Sequence, residues 1–357
     1  MLQFSILEHK KIHWIFCAEN SSERIFLHPK NKCLQQTTPF KVWWHIVFLI
    51  SSSRNIFIFR NKIDYMEKKR IIICGAGSIG IYLGAKLNKH KVILFGRRKL
   101  KGIKDKVIIK NKTYKIPRKV FNIPENKKYD FIFITTKLYD FGEMVDLIKK
   151  KKLDSPVIAS VQNGLVDSSK YNASFKNKRL IPVVVFSGFN LVKDRIIVKS
   201  TPVGWRTEDS EEGRKIAELL KDGKIQCYAE PNLDVMRAEK TIINSCLNGL
   251  SAIEKKPFND LFKNKETRRK IENLFHESYA ILRKKYRLDK KEEIRKRMYK
   301  HWSKLSHYSS TYQDLVSGRK VEIEFFNGYL VNLGKKYKLP TKYNEQIILD
   351  FKKMSGA

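Results

Sequence analysis

From Arg70 onward the chain alternates between short apolar runs and segments of helical period. RIIICG (70–75) reads as a buried strand, SIGIYLGAKLNK (78–89) as a helix and KVILFG (91–96) as a second strand. YDFIFITTK (129–137), PVIASVQNG (156–164) and LIPVVVFSG (180–188) add three more runs of strand length. Apolar runs separated by helical or polar segments predict a mostly parallel sheet covered on both faces. VIIK and TYKIP, in the basic stretch before Lys128, are candidate short strands, and RIIVKS (195–200) is expected to extend the sheet at an edge. The helix EEGRKIAELLKDG and the strand IQCYAE close this half near Glu230.

After Pro231 strand-like runs stop. LDVMRAEKTIINSCLNGLSAI, ETRRKIENLFHESYAILRKKY and EEIRKRMYKHWSKL carry helical periodicity, and KVEIEFFNGYLVNLGKKY places Ile323, Phe326, Leu330 and Leu333 on one face. The expected organisation is an N-terminal extension over 1–65, an α/β domain over 66–231 and an all-helical domain over 232–357.

Composition changes this picture little. The 357 residues are enough for two domains. A net charge of +37, from 73 Lys and Arg against 36 Asp and Glu, raises nucleic acid or an acidic surface as a partner. The lysines are scattered without an interleaved aromatic stripe, so no specific nucleic-acid partner is expected; a positive field would in any case draw in a phosphorylated cofactor and a carboxylate. Five widely spaced cysteines and eight unclustered histidines give neither a disulfide framework nor a metal site. VWWHIVFLI (42–50) falls short of the about 20 residues a membrane span needs, and the N-terminus lacks a signal-peptide pattern. A cytoplasmic protein without a membrane partner is expected, and a homodimer is compatible with the pattern.

The chemistry begins at GAGSIG. Gly75, Gly77 and Gly80 fill G-x-G-x-x-G between a strand and a helix, the context in which the motif cradles a dinucleotide. The first glycine permits the turn, the second admits a pyrophosphate and the third lets helix and strand approach. Ala76, Ser78 and Ile79 complete the turn, whose helix start offers N–H groups to phosphate. The second strand runs into FGRR, without the acidic residue that grips an unmodified ribose. Arg97, followed by Arg98, stands where a 2′-phosphate needs a cation, which favours NADP(H) over NAD(H).

In the helical half, Lys240, Asn244 and Asn248 recur every fourth residue. At about 100° per residue they form a polar wedge, with Ile243, Leu247 and Leu250 on the adjoining side. Such a helix either lines a cleft or shows a solvated edge, and periodicity does not separate the two. Ser310 with Gln313 also has the form of a capping box.

GAGSIG, ITTK, VQNGL, the K-x-x-x-N-x-x-x-N helix, SSTYQD and VEIEFFNGYLVNLGKKYKLPTKYN follow one another in the order and spacing of ketopantoate reductase (2-dehydropantoate 2-reductase). The chain resembles that family from about Lys69 to near its C-terminus. The resemblance implies a Rossmann-type NADPH domain, a helical domain similar to that of 6-phosphogluconate dehydrogenase, and a 2-oxo acid bound in the cleft between them. It also implies roles. Lys240 matches the catalytic acid, and Asn244 and Asn248 match substrate-contacting positions. Asn163 matches an asparagine reaching both cofactor and substrate, Lys137 a cofactor-side lysine, Ser310 a substrate-binding serine and Glu322 a glutamate serving both ligands. Phe258 and His307 depart from the family, standing where asparagines are expected. Both changes concern substrate contacts, so another 2-oxo acid remains the alternative substrate; a non-catalytic nucleotide sensor or nucleic-acid binder is the alternative of another class.

Residues 1–65 match nothing in that family. A chain starting at Met66 would place its glycine turn about ten residues in, as that fold does. The extension is expected to be dispensable, an upstream prolongation of the reading frame or a disordered appendage; its WW at 43–44 keeps an anchor or partner-binding segment open.

Overall fold

The structure is a computed structural model. It describes residues 3–9, 12–18, 48–50 and 56–58 by their backbone, and 67–97, 105–165, 171, 174–175, 178–199 and 203–356 in full. Met66, Arg98 and the tryptophans at 43–44 lie outside the described residues. The chain divides into two units, Met1–Glu67 and Lys68–Ala357. In the first, β1 (Gln3–His9) pairs antiparallel with β2 (Ile12–Ala18), and β3 (Phe48–Ile50) with β4 (Ile56–Ile58).

The second unit opens with β5 (Arg70–Cys74), α1 (Ser78–Lys86) and β6 (Lys91–Phe95). After β7 (Lys106–Ile109) and β8 (Lys112–Lys115) come β9 (Arg118–Val120), β10 (Phe131–Ile134), α2 (Phe141–Lys150), β11 (Val157–Val161) and β12 (Leu180–Val185). Next are β13 (Gly188–Val192), β14 (Arg195–Lys199), β15 (Trp205–Glu208), α3 (Glu211–Asp222) and β16 (Cys227–Glu230). The main sheet runs β16-β15-β12-β11-β10-β5-β6-β9, parallel at every pairing except β12 with β15. Its central strands are buried along their whole length, which is why they read as unbroken apolar runs.

One strand expectation changes, and two further strands are found. RIIVKS does not extend the main sheet: β14 pairs with β13 and β7 in a separate four-stranded sheet, β13-β14-β7-β8. That small sheet packs over α1, burying Val107, Ile109 and Ile196 in the same core as Ile81 and Leu83. With a buried face of its own to cover, RIIVK has no need of the main sheet's edge. The sequence also hides β13 and β15, whose short mixed segments have no apolar run; in β15 only Trp205 and Thr207 turn inward.

The helical half begins at α4 (Leu233–Ile253), followed by α5 (Phe258–Leu261), α6 (Lys265–Leu282), α7 (Lys291–Trp302), α8 (Ser310–Val316), a π-helical turn at Glu324–Gly328, α9 (Tyr329–Lys336) and α10 (Lys342–Ser355). α4 is the axis of this half, packed by α6, α8 and α10, and Ile323, Phe326, Leu330 and Leu333 are all buried beside it. Inside lies a closed polar network. The Asn327 amide donates to the Ser245 carbonyl (3.1 Å) and to Asn344 Oδ1 (2.9 Å), and Asn344 Nδ2 donates to Glu277 Oε1 (2.8 Å). Satisfied in this way, the buried amides tie α4, α6, α10 and the π turn together.

Candidate active site

The glycine turn shows why each of its positions is glycine. Gly75 has φ +132°, and a Cβ there would meet Thr135 Oγ1 at 2.6 Å and the Thr136 nitrogen at 2.8 Å. A Cβ on Gly80 would run into the Gly75 carbonyl and stand 2.8 Å from Thr135 Oγ1. Gly77 is different, because nothing lies within 4 Å of the position its Cβ would take. Gly77 is also the N-cap of α1, with no side-chain cap and no acidic residue in the first turn. An open approach to uncapped N–H groups at a helix start suits a phosphate. The residues present therefore fit a dinucleotide across Gly75, Ala76, Gly77, Ser78, Ile79 and Gly80.

Thr135 was not singled out by the sequence reading, although it stands in ITTK. Largely buried, it donates from Oγ1 to the Gly75 carbonyl (2.8 Å) and anchors the turn to β10. Gly96 was missed as well. A Cβ on it would collide with Ala76 of the turn, so the end of β6 must be glycine for the fingerprint to fold against it.

Arg97 sits at the end of β6, half exposed, but it is not unpaired. It bonds Asp140 at 2.7 Å and Glu143 at 2.9 Å, both at the start of α2. The bond from Glu143, then that from Asp140, holds its pKa above the usual arginine value.

The remaining candidates gather where the carboxyl ends of β10, β11 and β12 face α4. Lys240 Nζ donates to Asn163 Oδ1 (2.6 Å), just beyond β11, and to the carbonyl of Val185, the last residue of β12. It also lies 5.2 Å from the centroid of the Phe186 ring. Burial pushes its pKa down from 10.5 to about 7. The side chain as a whole keeps partial solvent contact, but its ammonium end is walled by carbonyl, amide and ring, and desolvation disfavours the charged form there. Asn244 and Asn248 follow on the same side of α4, both buried. Neither side-chain amide has a hydrogen-bond partner among the described residues, although the Asn248 carbonyl accepts from Ser309 Oγ (3.0 Å). The row of Lys240, Asn244 and Asn248 thus faces inward and is not a solvated edge.

Lys137 and Glu322 come together across the cleft. Lys137, beyond β10, donates to Asp314 Oδ2 (2.7 Å) and Glu322 Oε2 (2.9 Å), and Glu322 Oε1 accepts from the Leu138 N–H (2.9 Å). Asp314, which the sequence reading missed inside SSTYQD, also accepts from Arg319 (2.8 Å). Burial pulls the Lys137 ammonium down, but Glu322 and Asp314 outweigh it and the pKa ends above the ordinary lysine range. A π-helical turn begins two residues after Glu322, a common distortion at functional sites.

Ser310 is the first residue of α8 and does not cap it. Ser309 does, accepting at Oγ from the Tyr312 N–H (3.1 Å), so the capping role expected of Ser310 belongs to its neighbour. Ser310 is left half-buried at the helix start. Phe258 and His307 pack edge to face at 5.1 Å, Phe258 likewise on Trp302 at 5.0 Å. Burial, then the Lys199 charge, push the His307 pKa down to about 4, and its Nδ1 is buried without a hydrogen-bond partner. Among the described residues there is no metal-holding group of His, Cys, Asp and Glu, and no helix long and apolar enough to cross a membrane.

The chain is similar to known proteins over most of its length. A curated 2-dehydropantoate 2-reductase of Archaeoglobus fulgidus is 26% identical over 294 residues, covering 79% of this chain and 97% of its own. A crystal structure of a PanE/ApbA family ketopantoate reductase from Ralstonia eutropha matches with a TM-score of 0.72 at 19% identity, over 80% of this chain and 98% of that one. A ternary structure of D-mandelate dehydrogenase with NADH and anilino(oxo)acetate matches with a TM-score of 0.71 at 20% identity, over the same shares. At these identities the two structures establish the fold: a Rossmann-type domain followed by a helical one. The sequence model for ketopantoate reductase PanE/ApbA matches residues 71–205, and the model for the family's C-terminal region matches 232–354. Matched in both halves and in this order, the chain belongs to the ketopantoate reductase PanE/ApbA family.

Proposed function

We propose that this protein is an NADPH-dependent reductase of 2-dehydropantoate, producing (R)-pantoate for pantothenate and coenzyme A synthesis. The observation that carries the reading is Lys240, a buried ammonium at the carboxyl ends of β11 and β12 with two unpartnered asparagine amides beside it on α4. The bound nicotinamide would supply the hydride. Lys240 holds a proton at Nζ, passes it to the substrate's carbonyl oxygen and sets a positive charge beside the oxygen as negative charge develops; a placed general acid contributes about 10²–10⁴-fold. Its low pKa makes the transfer easier near neutral pH. Asn163 orients the ammonium through Oδ1 and keeps its NH₂ for a ligand. Asn244, Asn248 and Ser310 supply the polar groups that hold the substrate's oxygens.

Glu322 spends one lone pair per oxygen on Lys137 and Leu138, and each oxygen has capacity left to accept from a substrate hydroxyl. Lys137, drawn to Glu322 and Asp314, joins the two walls of the cleft on the cofactor side. The glycine turn and Arg97 hold the dinucleotide, Arg97 favouring a 2′-phosphate. Residues 1–65 take no part in this chemistry.

A second reading keeps the reaction and changes the substrate. Phe258 and His307 form an aromatic cluster with Trp302 in place of two amides, which suits a 2-oxo acid with a more apolar substituent than 2-dehydropantoate. The likeness to D-mandelate dehydrogenase supports it and makes NADH a cofactor to test. Initial rates on a panel of 2-oxo acids, each with NADPH and NADH, separate the readings. Highest kcat/KM with 2-dehydropantoate and NADPH is expected. A higher value on an aromatic 2-oxo acid overturns the substrate assignment. Absence of turnover on every member, with salt-sensitive binding to DNA or RNA, would remove the reductase reading altogether.

A further inference from the structure

In the hairpin of β13 and β14, Gly188 stands directly opposite Lys199. Glycine leaves the space beside it unfilled. Among the described residues, and apart from its chain neighbours, the position its Cβ would take has only Lys199 Cβ at 3.7 Å and His307 Nε2 at 3.8 Å within 4 Å. The hairpin of the α/β half and the loop before α8 therefore meet here, with a gap between a lysine stem and an imidazole.

The gap adjoins the segment that holds Lys240. The Val185 carbonyl accepts from Lys240 and the Phe186 ring lies beside its ammonium. Gly188 is three residues past Val185, a reach of about 10 Å at most. From the helical side, the loop of His307 is tied to the Asn248 end of the polar row. The His307 carbonyl accepts from the Phe258 N–H (3.0 Å), and Ser309 Oγ donates to the Asn248 carbonyl (3.0 Å).

Both groups at the gap lack a counterpart. Lys199 is exposed, and no hydrogen bond or ion pair holds it among the described residues. Burial, then the Lys199 charge, keep the His307 pKa near 4, and no acidic side chain offsets them, so the ring is neutral at pH 7. Its Nδ1 is buried without a partner. A buried N–H without an acceptor is rarer than a bare buried lone pair, which places the proton of the neutral ring on Nε2, facing Gly188. An N–H donor and an ammonium thus border one gap with no anion between them. The other lysines of the site are committed, Lys137 to Asp314 and Glu322, Lys240 to Asn163 and the Val185 carbonyl.

We propose that Lys199 and His307 receive the carboxylate of the 2-oxo acid, Lys199 by charge and His307 through Nε2–H, while Lys240 takes the carbonyl oxygen. The inference rests on the reductase reading above, whichever 2-oxo acid is the substrate. NADPH-loaded full-length protein is titrated calorimetrically with oxamate, a 2-oxo acid mimic bearing one carboxylate, and with oxamide, its neutral counterpart. Wild type should prefer oxamate. Lys199→Met should weaken oxamate about fivefold or more, as a partly screened charge does, and His307→Phe about tenfold, with oxamide within about twofold in both. His307→Asn restores a donor and should recover most of the loss. Lys193→Met removes an equal charge from the exposed turn of the same hairpin and should leave oxamate within about twofold. With 2-dehydropantoate, Lys199→Met should raise KM by the factor seen for oxamate and leave kcat within about twofold, because the contact is the same before and during hydride transfer.

A wild type that binds oxamate no better than oxamide overturns the inference, and so do Lys199→Met and His307→Phe proteins that bind oxamate as wild type does. If Lys193→Met weakens oxamate as much as Lys199→Met, the general positive field is responsible and the inference is overturned with the reductase reading intact. If oxamate binds through these two residues but no 2-oxo acid is reduced, the reductase reading falls and the carboxylate site stands.

Discussion

Lys240→Met removes the ammonium in the cleft while keeping an unbranched apolar stem of similar length. In the wild type the Lys240 pKa falls from 10.5 to about 7 through desolvation. At about 1.4 kcal/mol per pH unit, that lowering corresponds to a ceiling of about 5 kcal/mol, which solvent in the open cleft reduces to on the order of 2–3 kcal/mol. The folded pKa lies below the unfolded one, so between about pH 7 and 10.5 the unfolded chain binds more protons. This group's penalty on the fold is thus complete below about pH 7 and is relieved as pH rises towards 10.5. Methionine carries no such penalty but leaves Asn163 Oδ1 and the Val185 carbonyl without their donor, a loss that does not depend on pH. Urea unfolding of both proteins should therefore show the variant's stability relative to wild type dropping by about 2–3 kcal/mol between about pH 6 and pH 10. The same substitution should lower kcat by about 10²–10⁴-fold, and wild-type kcat/KM should decline as pH rises through about 7, where the free enzyme's acid loses its proton. A stability difference that is flat with pH, together with turnover equal to wild type, would refute both the buried ammonium and the acid.

The other predictions concern the turn, the cross-cleft pair and the N-terminal extension. Gly80→Ala places a methyl against the Gly75 carbonyl and Thr135, and should lower the unfolding free energy by at least about 2 kcal/mol and abolish dinucleotide binding. Gly77→Ala, with empty space around its Cβ, should change stability by less than about 1 kcal/mol yet still weaken NADPH in a fluorescence titration, because the methyl stands where the pyrophosphate approaches. Should both glycine variants bind alike, the assignment of their separate roles fails. Lys137→Met leaves Asp314 and Glu322, both nearly buried, without their shared cation; a loss of about 2–4 kcal/mol in denaturant unfolding is expected, and Lys137→Arg should recover part of it. A chain started at Met66 should keep the unfolding midpoint and NADPH oxidation of the full-length protein, and loss of either would show that the preceding residues are needed.

The parallel sheet and the helical half were legible because both write their burial into sequence periods. Ile71–Cys74 and Phe131–Ile134 are covered on both faces and so read as continuous apolar runs, whereas α6 buries one side and repeats by helical turns. β13, β14 and β15 were misread or missed because a short strand is stabilised by its neighbours' ladders more than by its own residues. The Ser309 cap escaped because the capping-box pattern points to Ser310, three residues before Gln313, whereas Ser309 caps the helix with a tyrosine in that place.

For the site, sequence alone determined the chemistry on offer: three glycines in a β-α-β setting, a cation after the second strand, and a lysine and two asparagines at helical spacing. Those features are local, set by backbone geometry within one turn or one helix. Tertiary structure alone decided what faces what. It brought Lys240 to Asn163 and Val185 across the cleft, gave Lys137 two carboxylates more than 170 residues away and matched Arg97 with the acids of α2. Charge and burial act through space, so the pKa of a lysine and the field at a phosphate pocket depend on partners that no spacing along the chain can specify.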